Sequence, residues 1–109
     1  MAVEFDLRPI SAQITAANSV TTIFGPVPPN VHMDIYDIVI ANPSSNAATV
    51  VLSGATRPVY TVTVPATSTQ SLIGQNNPIA NVVAGDSLGV TSNTTGQYIT
   101  VWYRLVPGT

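Results

Sequence analysis

The chain has no cysteine and no lysine, a single histidine and a single tryptophan. Without cysteine there is no disulfide framework, no thiol nucleophile and no thiolate metal site, and a small secreted scaffold stapled by disulfides is disfavoured. Without lysine, all positive charge comes from Arg8, Arg57 and Arg104, set against Glu4, Asp6, Asp34, Asp37 and Asp86 for a net charge of −2. Only 7% of residues are charged, where ordinary soluble domains carry roughly 25%. Three scattered arginines make no basic stripe, so nucleic-acid binding, which needs clustered cations to displace counterions, is not expected. No apolar run reaches the length of a membrane span. The stretch MAVEFDLRP has neither the basic start nor the continuous apolar core of a secretory signal. The expectation is synthesis in a cytosol without export through a cleaved leader.

What fills the chain is 15 valines, 9 isoleucines and many threonines, punctuated by 9 prolines and 7 glycines. Branching at Cβ restricts χ1 in a helical turn and suits a pleated surface. The runs are short and separated by Asn, Pro, Ser and Gly, which is strand-and-turn chemistry. From Val31 to Val64 three strands are expected in succession, Ile35–Ala41, Thr49–Leu52 and Val59–Val64, forming a meander. In the last, Tyr60, Val62 and Val64 point one way and Val59, Thr61 and Thr63 the other, so one face can be buried while the other stays wet. Further strands are expected at Val3–Arg8, Val20–Phe24, Thr67–Ile73, Ile79–Val83, Leu88–Thr91 and Gln97–Val106. The last carries large groups on both faces and should be central. The connector Gly25–Asn30 holds three prolines and should be stiff and extended. The sum is one all-β domain over residues 1–109, an antiparallel two-sheet β-sandwich of jelly-roll type with about eight short strands, an Ig-like topology being the next choice.

A surface so poor in charge is weakly defended against association, because repulsion and charged edges are what keep β-domains apart. The chain is therefore expected to be covered by neighbours in an assembly. Residues 1–9 suit an N-terminal strand or arm, with Val3, Phe5 and Leu7 alternating against Glu4, Asp6 and Arg8 and ending at Pro9. Arg57 and Arg104 suit bidentate pairing with an aspartate, within the chain or across an interface. Val3, Phe5, Leu7, Arg8, Arg57 and Arg104 are accordingly the expected interface residues.

Chemistry finds little to stand on. His32, Asp34 and Asp37 have metal-ligand character, but strand alternation puts Asp37 on the opposite face from the other two, and isolated sites need three or four convergent ligands. Glu4 and Asp6 share one strand face and could hold calcium with a neighbouring chain, but such a pair is more often a solvated face. No Gly-x-Ser-x-Gly elbow accompanies the lone histidine. Asp86 suits a turn whose carboxylate holds backbone N–H groups. Trp102, Tyr98, Tyr103 and Tyr36 are an alternative aromatic platform for a sugar, although aromatics on a long strand more often serve core or interface. No catalytic, cofactor-binding or metal-binding residue is expected, and the protein is not expected to be an enzyme.

Several pieces occur in an order that resembles a known group. Asp37-Ile38-Val39-Ile40-Ala41-Asn42-Pro43-Ser44 is followed by Ala47–Leu52, and then by the turn Val64-Pro65-Ala66-Thr67-Ser68-Thr69. Val83-Ala84-Gly85-Asp86-Ser87-Leu88 and a closing Ile99-Thr100-Val101-Trp102-Tyr103 complete the set. This series, covering about residues 35 to 106, resembles small β-sandwich structural proteins of tailed bacteriophage virions. The resemblance implies a capsid decoration (cement) protein on the outside of the shell, partnered by the major capsid protein or other virion proteins. It implies a homo-oligomer as well, a trimer above others. A tail or neck protein is the alternative within that group, and a carbohydrate-binding or adhesion module the alternative outside it. The group supplies no catalytic residues to carry over.

Overall fold

The computed structural model describes residues 7–54, 58–74 and 78–108. Among them are nine strands: β1 (Arg8–Gln13), β2 (Thr21–Phe24), β3 (Val31–Asn42), β4 (Ala48–Ser53), β5 (Pro58–Val64), β6 (Ser68–Ile73), β7 (Ala80–Val82), β8 (Leu88–Ser92) and β9 (Tyr98–Pro107). One sheet runs β1-β9-β3-β6, with β7 also paired to β3; the other runs β2-β8-β4-β5. Every pairing is antiparallel.

β6 and β7 lie end to end along one edge of β3, facing Asp37–Asn42 and Met33–Ile35 respectively. They form one border in two pieces, whose facing ends are held to β3 where Gly74 N–H donates to Tyr36 C=O (2.9 Å) and Ile79 N–H to Ile35 C=O (2.7 Å). Counting them as one gives two sheets of four strands in the order of an eight-strand jelly roll. The β-sandwich expected from composition is therefore the observed fold.

One element of the expectation fails. β4 and β5 form a hairpin, but β3 pairs with neither and belongs to the opposite sheet, so the three consecutive strands are not a meander. The turn after Asn42 carries the chain across the sandwich. Alternating apolar residues mark a buried face and cannot tell a hairpin from such a corner. Strand β9 is central, between β1 and β3, as its apolar content implied.

The core lies between the sheets. β3 contributes Met33, Ile35, Ile38 and Ile40, β9 Ile99 and Val101, β4 Val50 and Leu52, and β8 Leu88 and Val90, all essentially without solvent contact. Each such side chain contributes roughly 1.5–3 kcal/mol. The proline connector closes one end. Val27 is buried there, its N–H donates to Asp86 C=O (2.8 Å), and its C=O accepts Gly85 N–H (2.9 Å). Gly25, at φ +145°, passes against Ser87 so closely that a Cβ would fall 2.6 Å from the Ser87 Cα.

Candidate functional site

The sandwich has two solvent-facing sheet surfaces of opposite character. None of the residues in β2, β4, β5 and β8 is an acid, an arginine or a histidine. The outer side of this sheet carries Thr49, Val51, Thr61, Thr63 and Thr91, with the exposed Val20 (67%) lying over Gly89. A Cβ on Gly89 would sit 2.7 Å from Val20 Cγ1, so only glycine lets Val20 settle there.

The outer side of the other sheet carries three of the five ionised described residues, Asp34, Asp37 and Arg104, together with His32. A bulge opposite Ile35 and Asp37 separates the pairs Ile35–Tyr103 and Asp37–Trp102. That extra residue, Tyr36, reverses the alternation, so Asp37 shares the outer face with Asp34 rather than facing away from it. This corrects the expectation drawn from strict period two. Even so, no group of three His, Asp or Glu side chains that could hold a metal exists among the described residues. Asp37 is occupied structurally, its carboxylate accepting Gly74 N–H at 3.1 Å. His32 Nε2 lies 3.2 Å from Asp34 Oδ1, and its Nδ1 lies 3.0 Å from Gly108 O. Both ring nitrogens thus meet acceptors; an imidazolium can donate to both, a neutral ring to one.

Arg104 is the cross-strand neighbour of Asp34, yet the two form no ion pair. Its guanidinium instead sits 5.3 Å from the Tyr36 ring centroid, and its Nε is buried without a hydrogen-bond partner. Arg8 lies on β1 and faces Tyr103 in register, which places it on the other side of the sheet from Arg104. Leu7 is partly exposed beside it. Of the expected interface residues, Leu7 and Arg8 mark one edge and Arg104 the middle of an outer face, while Val3, Phe5 and Arg57 lie outside the described residues. Among the described residues the first strand is Arg8–Gln13, which runs on through Pro9; the expected strand Val3–Arg8 otherwise lies outside them. Ile14 N–H donates to Gln97 C=O, so by alternation the Pro9 nitrogen points to the free edge, where a missing N–H costs no ladder bond.

The aromatic residues do not form one platform. Tyr103 turns inward onto Phe24, with ring centroids 5.1 Å apart. Tyr98 and Trp102 share the outer face but stand four residues, about 13 Å, apart on β9. Tyr98, 51% exposed, borders an open groove of about 410 Å³ lined by Ala41, Asn42, Pro43, Thr67, Ser68 and Thr69. Tyr98 and Thr69 both face Ala41 in register, and the small Ala41 leaves the trough between them.

Beneath this groove is a buried amide pair that sequence reasoning missed. Asn42 Nδ2 donates among Asn46 O (3.0 Å), Val64 O (3.2 Å) and Pro65 O (3.1 Å), while its Oδ1 accepts Ser44 N–H (3.1 Å) and Gln97 Nε2 (3.0 Å). Gln97 Nε2 also reaches Thr94 Oγ1 (2.6 Å) and Thr95 O (3.1 Å). Three turns from both sheets are pinned at this point. No helix among the described residues is long and apolar enough to cross a membrane. No family model and no curated protein matches the chain.

Proposed function

We propose that the chain is a non-enzymatic virion structural protein, a capsid decoration protein that binds the outside of a phage shell as a homo-oligomer and stabilises it through surface contacts alone. The observation that carries this reading is the sheet β2-β8-β4-β5, which has no charged side chain and turns a face of threonine, serine and valine to solvent. Such a face gives little protection against association, and covering it desolvates no charge. The jelly-roll order and the ordered motif series from Asp37 to Tyr103 support the same reading. It requires no cofactor, metal, nucleic acid or membrane. It places the protein on the capsid exterior after synthesis in the host cytoplasm.

The test is to incubate purified protein with assembled phage shells from the source of the chain, sediment the particles and heat them. Retention in the pellet with a raised temperature of shell rupture is expected, and Val51→Lys, at the centre of the charge-free face, should abolish both. Retention by tails or necks alone would move the assignment to that part of the virion. Failure to bind any particle component would reject it.

A second reading has one observation in its favour. The groove beside Tyr98 offers an exposed ring next to the hydroxyls of Thr67, Ser68 and Thr69, the pairing of apolar face and polar groups that suits a saccharide. Chemical-shift titration of Tyr98 with neutral oligosaccharides tests it; no change at millimolar sugar would end it.

A further inference from the structure

Five strands, β1, β2, β5, β6 and β7, border the two sheets, and each β-sandwich must keep such borders from pairing with other chains. β1 contains Arg8 and Pro9. β2 is four residues long, has an irregular register between Thr22 and Phe24, and leads into the prolines 26, 28 and 29. β5 starts at Pro58, has an irregular register there, and is followed by Pro65. β7 is only three residues long. β6, Ser68-Thr69-Gln70-Ser71-Leu72-Ile73, has none of these devices: no charge, no proline and no irregularity in its register with β3.

The geometry of β6 leaves room for another strand. Gly74 N–H bonds Tyr36 C=O within the continuing register. Antiparallel alternation then directs the N–H and C=O groups of Thr69, Ser71 and Ile73 away from β3. No described residue bonds them. Leu72 packs against the core, but Gln70, whose side chain is also on the inward side with Ile40, is exposed, so the opposite sheet leaves the middle of β6 open to an added strand. Ile73, on the outer side, is 67% exposed.

From this we infer that two copies of the chain associate through β6, antiparallel about a two-fold axis at Ser71, joining their five-stranded sheets into one. A strand related to itself by a two-fold axis is self-complementary. In this register Thr69 of each copy pairs with Ile73 of the other, Ser71 with Ser71, and every outward group of the three residues is used. Each copy carries a charge of −2, and a contact through β6 brings no ionised side chain of one strand against the other. The Asp37 carboxylate nearby is already held by Gly74 N–H. The product is a dimer, where the phage resemblance implied a trimer. The inference does not rest on shell binding and is tested without shells.

Light scattering and sedimentation equilibrium on the full chain should give a reversible dimer. Ser71→Pro, which removes an outward N–H and leaves the bonds to β3, should raise the dissociation constant at least about tenfold. Ser71→Lys, a second variant in case proline disturbs folding, should do the same while circular dichroism stays unchanged. Because the chain lacks cysteine, Ser71→Cys should yield a disulfide-linked dimer under mild oxidation, and Thr63→Cys on β5 should not. A monomer at all concentrations, a trimer, an oligomer indifferent to both Ser71 substitutions, or cross-linking at Thr63 alone would overturn the inference.

Discussion

Asn42 is the residue whose loss the structure makes most costly for its size. It is 1% exposed, and its partner Gln97 is 0% exposed. Truncation to alanine removes two amide hydrogens shared among three carbonyls, and an oxygen that accepts from Ser44 and Gln97. Four hydrogen bonds at a net 0.5–1.5 kcal/mol each amount to about 4 kcal/mol. Against a total stability of about 5–15 kcal/mol, Asn42→Ala leaves a marginal fold. For a domain of this size it should lower the melting midpoint by something on the order of 15–30 °C. Urea unfolding followed through the lone Trp102, with the slope checked for two-state behaviour, measures the loss directly. Asn42→Asp should destabilise at least as strongly at neutral pH, since a carboxylate would then face three carbonyl oxygens. In a double-mutant cycle with Gln97→Ala the two losses should be clearly non-additive, because the side chains bond each other. A loss below about 1 kcal/mol for Asn42→Ala would show that solvent replaces these bonds and would refute the reasoning.

Three other outcomes follow from packing. Ile38→Ala, at the fully buried middle of β3 between Val101 and Leu72, should cost about 2–5 kcal/mol in denaturant melts, whereas Thr61→Ala on the outer face of β5 should stay within about 0.5 kcal/mol. Gly25→Ala should fold poorly or not at all, because φ is +145° there and the new Cβ meets Ser87 Cα at 2.6 Å; adding Ser87→Gly should not restore the melting temperature. Arg104→Met should change stability by less than about 1 kcal/mol, since it exchanges one ring contact for relief of a buried, unbonded Nε; a larger loss on calorimetry would reveal a tight partner for the guanidinium.

Local signals in the chain were legible where one residue type did one job. The alternation Tyr60, Val62, Val64 against Thr61, Thr63 matches the inward and outward sides of β5, with Val64 buried and Thr61 and Thr63 exposed. The stretch around Trp102 is the central β9. What stayed hidden depends on residues far apart in sequence. Whether β3 joins β4 in one sheet or crosses to the other is decided by which faces oppose, and a period of two is the same in both cases. The face of Asp37 depends on a bulge at Tyr36 that exists only because β9 is shorter by one residue across that stretch. Asn42 and Gln97 meet across 55 positions, and each taken alone is an ordinary turn residue.

The separation of charge between the sheets makes ionic strength a means of deciding which surface meets a partner. Arg8, His32, Asp34, Asp37 and Arg104 all belong to the sheet β1-β9-β3-β6, and the other sheet has no such groups. Screening acts on exposed charges and shortens their reach from about 10 Å at 0.1 M salt to about 3 Å at 1 M. If a shell is met by the face around Val51, the strands on this side of the contact bring no ionised side chain to screen. Raising sodium chloride from 0.05 to 0.5 M should then leave the dissociation constant within about threefold, and the apolar part of the contact should not weaken. If the contact ran through Arg104 and Asp34, the same change should cost affinity through slower association. The measurement is binding to assembled shells across that salt series, with rates resolved by surface plasmon resonance. A fall of tenfold or more, carried by the on-rate, would assign the contact to the charged sheet and overturn the placement of the neutral one against the partner.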